Sequence, residues 1–104
     1  MRSNETKSLS KAKQIYICCR VYASDNGGNY PPSLDVLFPT YLSDRSILVS
    51  PIAPGEPVGY KYTPGLTLSS ATNTVLIEDK FAPSLKHERI VVYVDDHAEI
   101  LRIP

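Results

Sequence analysis

All nine prolines of this 104-residue chain lie at or beyond position 31, and that placement limits what it can fold into. Proline fixes φ and removes a backbone donor. Pro31, Pro32, Pro39, Pro51, Pro54, Pro57 and Pro64 therefore cut the middle into pieces too short for a long helix. The stretch before them is the one place for a long regular element that can organise a core. There, apolar residues recur at Leu9, Ala12, Ile15, Tyr16, Cys19, Tyr22 and Ala23, the three- and four-residue intervals of one helix face. Lys11, Lys13, Gln14, Arg20 and Ser24 take the other side, and the basic group Lys7, Lys11, Lys13 and Arg20 reads as a solvated face. Ile17, Cys18 and Val21 break the division, so the C-terminal half of the helix carries more apolar surface than one packed layer needs. That surplus points either to a second covering layer or to a partner, for which Ile17, Cys18 and Val21 are the candidate contact residues. Met1–Lys7 reads as the continuation of a helix rather than its start, and Asp25-Asn26-Gly27-Gly28 stops it with residues that accept a left-handed cap.

Beyond the stop, Pro31-Pro32 holds the chain extended and Ser33 is placed to N-cap a short helix through Leu37. Ser43–Ser46 reads as a turn, Ile47–Val49 as a brief extended piece, and residues 51–57 as an irregular connection. Four strand segments follow: Val58–Thr63, Thr74–Asp79, Arg89–Val94 and Ala98–Ile103. Arg89–Val94 is apolar on both faces, which predicts a central strand. A tight hairpin through Asp95-Asp96-His97 joins it to the last segment, while Phe81–Glu88 reads as a loop. The order predicts a single α+β domain: helix over 1–28, an irregular connection over 29–57, and an antiparallel sheet of three to four strands over 58–104.

Composition excludes several classes. Eleven basic residues balance eleven acidic ones with no basic stripe, which argues against nucleic-acid binding. The only cysteines, Cys18 and Cys19, are adjacent, so there is no disulfide framework and no Cys-x-x-Cys spacing; small apolar side chains are the plainer reading than reactive thiols. No phosphate loop, nucleophile elbow or zinc spacing is present.

One group has the residue types for chemistry: Asp95-Asp96-His97 with Glu99, joined by Glu78, Asp79 and His87. Two carboxylates and an imidazole can hold a divalent metal or move protons. Consecutive hairpin residues point apart, however, and a solvated polar turn is the simpler reading. A Ca2+ site spanning Asp79 and Asp95, at two strand ends taken to be adjacent, is the one metal hypothesis. Six of the seven tyrosines, Tyr16, Tyr22, Tyr30, Tyr41, Tyr60 and Tyr62, suit core packing with hydroxyls at the rim, or the lining of a ligand groove.

Two stretches resemble a known family. Tyr22-Ala23-Ser24-Asp25-Asn26-Gly27-Gly28 followed by Tyr30-Pro31-Pro32-Ser33-Leu34, then Leu37 and Pro39-x-Tyr41-Leu42, resembles the globular start of type IV pilin-like proteins. The similarity is greatest to the major, G-type pseudopilins of type II secretion and to prepilin-like relatives. Val91-Val92-Tyr93-Val94-Asp95-Asp96-His97-Ala98-Glu99 resembles the strand–turn–strand near the end of many such relatives, with Asp96 in place of their usual glycine. The resemblance implies a non-catalytic filament subunit on the periplasmic side of the bacterial inner membrane, assembling with other pilin-like subunits. It implies a domain lacking the N-terminal membrane half-helix, since the family's leader, its early Glu and its apolar segment of about twenty residues are not among these residues. Major pseudopilins also hold calcium near their C-terminal strands, and those ligands find no residue-by-residue match here. From a different class, a cell-envelope module that binds a ligand or protein outside any filament is the alternative.

Overall fold

The computed structural model describes residues 3–104; Met1 and Arg2, part of the stretch read as a continuing helix, lie outside the described residues. Helix α1 spans Asn4–Asp25, within the expected 1–28 and beginning five residues before Leu9, the first residue of the apolar stripe. The early start comes from Ser3, whose backbone is extended and whose side-chain oxygen accepts the Thr6 N–H at 3.1 Å, an N-cap with Glu5 in the first turn. At the other end Gly27 and Gly28 take positive φ (68° and 87°), and the Gly28 N–H returns to the Ala23 carbonyl at 2.8 Å. Asn26 stays at negative φ, so the two glycines make the left-handed stop.

The middle of the chain is irregular but anchored. Tyr30 N–H donates to Leu66 O at 3.1 Å and Leu68 N–H to Gly28 O at 2.8 Å, tying the segment after the helix to the one before the second strand. Leu34–Leu37 forms a short 3-10 turn, with Leu37 buried. Ser33 precedes it without a side-chain capping bond, contrary to the N-cap expected from sequence. A second 3-10 turn, Arg45–Leu48, carries the turn expected at Ser43–Ser46 on into Ile47 and Leu48, where an extended piece is expected: Asp44 Oδ1 accepts the Ser46 N–H at 2.9 Å and winds the chain locally. Lys11 of α1 donates to the Ser46 and Val49 carbonyls at 3.1 and 2.5 Å, so this lysine is a tether and not part of a solvated face.

Strands β1 (Tyr60–Tyr62), β2 (Val75–Asp79), β3 (Glu88–Tyr93) and β4 (Ala98–Arg102) form one antiparallel sheet in the order β1-β2-β3-β4. The α+β prediction of a long N-terminal helix on a small antiparallel sheet therefore holds, with four strands. β3 is internal, and Ile90, Val91 and Val92 are all buried, as its two-faced apolarity predicts. On the helix side, Ala12, Ile15, Tyr16, Cys19 and Ala23 meet Leu76, Ile77, Val92 and Val94. A register shift in β2 between Val75 and Ile77 lets Leu76 and Ile77 both be buried. On the far face Val91 stands in register between Glu78 and Glu99, flanked by the Arg89–Glu78 ion pair and the Tyr93–Glu99 hydrogen bond, both at 2.8 Å.

Residues 81–88 are not a loop throughout. A short helix α2 spans Ala82–Lys86, with Pro83 near its start and His87 ending it in the left-handed region at φ 54°. The β3–β4 hairpin closes as expected: Tyr93 N–H donates to His97 O at 2.7 Å, and Asp96 takes φ 78°.

β1 is seated by a close backbone approach. Gly59 donates to Leu48 O and accepts from Lys80 N–H, both at 2.7 Å. A Cβ there would lie 2.5 Å from Ser50 Cβ and 2.6 Å from Ser50 N. Gly59→Ala is expected to lower the urea midpoint by an amount corresponding to about 2 kcal/mol, as overpacking in a close-fitted interior does. Gly55→Ala, at a position with nothing within 4 Å, serves as the control and should stay within about 0.5 kcal/mol of the parent.

Candidate interaction face

Asp79 and Asp95 do not form a joint site. In an antiparallel pair the end of one strand lies against the beginning of the next. The register pairs Val75 with Tyr93 and Glu78 with Val91, so Asp79 and Asp95 lie at opposite ends of the sheet. Several residues of strand rise separate them, on the order of 15 Å. Among the described residues, no group of three or more His, Cys, Asp or Glu converges to hold a metal ion. The other members scatter as well: Glu78 pairs with Arg89, His87 terminates α2, and His97 Nε2 stands 3.3 Å from Glu99 Oε1 at the exposed hairpin.

Asp79 has a different task. It is fully buried, and its two oxygens accept four hydrogen bonds. Oδ1 takes the N–H groups of Phe81 and Ala82 at 2.8 and 2.9 Å, which caps the start of α2. Oδ2 takes the hydroxyls of Ser8 from α1 and Ser50 from the middle segment, each at 2.5 Å. A carboxylate has about four lone-pair positions, and all of them are in use, so none is left for a cation. The Tyr60 hydroxyl sits beside this group, 3.0 Å from Ser8 Oγ and donating to Ser8 O at 3.1 Å. Burial, reinforced by the Asp79 charge, pushes its pKa up to about 12. The capping role of Asp79 has a sequence signal, its place three residues before Ala82-Pro83, a helix-start pattern; Ser8 and Ser50 have none.

A second polar cluster fixes the C-terminal half of α1. The hydroxyls of Tyr16 and Tyr30 donate to the Val94 carbonyl at 2.9 and 2.8 Å. Arg20 donates to the Tyr16 oxygen at 2.9 Å, and Lys13 pairs with Asp96 at 3.4 Å. Like Lys11, both cations make specific contacts that a purely solvated face would not. Tyr16, Tyr30 and Tyr60 are buried with bonded hydroxyls, so these three belong to the core.

These attachments leave one ridge of α1 facing outward. Ile17 and Val21, one turn apart, are 56% and 48% exposed. They border a hollow of about 290 Å³ whose walls also include Lys13, Arg20 and Asp96. Cys18, grouped with them in the sequence reading, turns the other way: half-buried, it packs against the core and its thiol donates to Tyr41 O at 3.4 Å. Burial raises the Cys18 pKa. Burial, followed by the neighbouring Cys18 charge, pushes Cys19 up to about 12, so neither thiol is a poised nucleophile at neutral pH. A larger hollow of about 430 Å³, walled by Tyr22, Asn26, Asn29, Tyr30 and Pro32 among others, lies below the helix C-terminus. No helix among the described residues is long and apolar enough to cross a membrane.

Comparison with protein-family models, with curated proteins and with solved structures finds no match for this chain.

The Asp79 geometry gives a direct prediction. Asp79→Ala strands two backbone donors and two hydroxyls and is expected to destabilise the fold by about 3 kcal/mol. Asp79→Asn keeps an acceptor for the Phe81 and Ala82 N–H groups and should cost roughly 1 kcal/mol. Melting curves of the parent protein should be superimposable with and without excess calcium; a calcium-dependent rise in Tm that Asp79→Asn abolishes would contradict this assignment.

Proposed function

We propose that this domain is the globular part of a pilin-like filament subunit, acting by assembly with other pilin-like subunits at the cell envelope and not by catalysis. The observation that carries the reading is the exposed pair Ile17 and Val21 on the outward ridge of α1. Every other interior-type position in that half of the helix is buried or half-buried against the sheet and the middle segment. An apolar pair one turn apart, beside a hollow and bordered by polar groups, suits helix-to-subunit packing. The two stretches that resemble pseudopilins support it. The Asp25–Pro32 stretch lies where the helix gives way to the rest of the domain, and the Val91–Glu99 stretch forms the β3–β4 hairpin. In this reading a membrane half-helix stands upstream of the Ser3 cap that begins α1, the head faces the periplasm, and type II secretion is the system its sequence most resembles.

A ligand-binding module is favoured by one observation, the tyrosine- and asparagine-walled hollow at the helix C-terminus. None of the acidic residues Glu78, Asp79, Asp95, Asp96 and Glu99 is among its walls.

Ile17→Asp separates the readings. Because Ile17 is exposed, the isolated domain should keep its Tm to within what about 0.5 kcal/mol allows. The same change in the subunit carrying its upstream helix should abolish filament assembly, scored by cross-linking or pelleting of assembled material. Normal assembly, or a domain that no longer folds, would overturn the filament reading.

A further inference from the structure

The two edges of the sheet are built differently. β1 is only three residues long, presents the exposed Lys61, is flanked by Pro57 and Pro64, and is bonded at its leading end to the Leu48 carbonyl. Short length, lysine and proline are the features that discourage strand addition. β4 has none of them. It runs five residues without proline, lysine or a register shift against β3.

Its free edge can be read from its pairing. Tyr93 N–H donates to His97 O, and Ile103 N–H to His87 O. With that register, the odd-numbered residues of β4 bond to β3, and Ala98, Ile100 and Arg102 turn their N–H and C=O groups away from the sheet. Among the described residues, no backbone group meets them. Ile100, at the middle of this row, is 37% exposed.

We propose that β4 is a self-recognition edge on which a second copy of this chain docks through its own β4, antiparallel about a two-fold axis at Ile100, to make one continuous sheet. The outward backbone groups belong to even-numbered residues, so pairing must oppose even with even. Of the antiparallel registers that do so, only the one centred on Ile100 pairs the whole strand with itself. It sets Ile100 against Ile100 of the second copy, which shields the exposed side chain. Arg102 falls opposite Ala98, where a small residue leaves room, and Glu99 falls opposite Leu101. No like charges stand directly opposite. A parallel arrangement in register would align Glu99 with Glu99 and Arg102 with Arg102, which is unfavourable. The occupant is therefore a second copy in the antiparallel sense, and this pairing does not rest on the filament reading.

Sedimentation of the full chain over a concentration series, with amide exchange followed by NMR, tests it. The expected result is a reversible dimer in which the Ala98, Ile100 and Arg102 amides slow down as the dimer fraction rises. Ile100→Lys should weaken the dimer by at least about tenfold while leaving the monomer folded. Arg102→Pro, which removes an outward N–H and no bond to β3, should do the same. Ile17→Asp should leave the dimer intact. A chain that stays monomeric up to about 1 mM, a dimer whose three edge amides exchange freely, or a dimer dissolved by Ile17→Asp and not by Ile100→Lys would each overturn the proposal.

Discussion

The structure depends on one buried carboxylate. Asp79 ends β2, and its four accepted hydrogen bonds reach the helix through Ser8, the proline-rich middle through Ser50, and the start of α2 through Phe81 and Ala82. A buried charge without partners costs far more than any one contact returns, so the arrangement holds only when all of these segments arrive together. This makes Asp79 a cooperative junction. It gives a small domain with many irregular residues a way to fix its middle segment, which has few backbone pairings of its own. Gly59 completes the junction by letting β1 approach Ser50 with no side chain between them.

At the other end of the sheet, Tyr16 and Tyr30 converge on the Val94 carbonyl and hold α1 against the β3–β4 turn. The helix is thus pinned at two points, by Ser8 near its start and by Tyr16 near its middle. Its rotation about its own axis is fixed as a result. That rotation points Ile17 and Val21 outward and directs Cys18 toward Tyr41. The outward ridge is therefore a consequence of polar contacts made on the opposite side of the helix, and its availability for assembly follows from how the core is tied.

Local pattern carried much of the architecture. The apolar stripe from Leu9 to Ala23, the two-faced apolarity of β3 and the Asp-Asp-His turn are read from neighbours a few residues apart, and the structure keeps all of them. The failures share a cause: each depended on a distant partner or on a short capping contact. Ile47–Val49 reads as extended because its residues favour strands, yet Asp44 winds Arg45–Leu48 into a 3-10 turn and leaves only Val49 extended. Asp79 and Asp95 look like neighbours when strand ends are counted along the chain, but antiparallel pairing places them apart. Cys18 looks equivalent to Ile17 and Val21 until Tyr41, from the middle segment, is folded against it. Ser8 and Ser50 carry no local signal at all, since their role exists only once Asp79 lies between them.

A double-mutant cycle between Ser8→Ala and Ser50→Ala tests the central claim most directly. The two serines are far apart in sequence and share only Asp79 Oδ2 as acceptor. Urea unfolding of the parent, both single variants and the double variant gives their coupling. If Asp79 is the junction, the free energies should depart from additivity by more than about 0.5 kcal/mol. Additivity to within about 0.3 kcal/mol would show the two serines acting independently and would contradict the account.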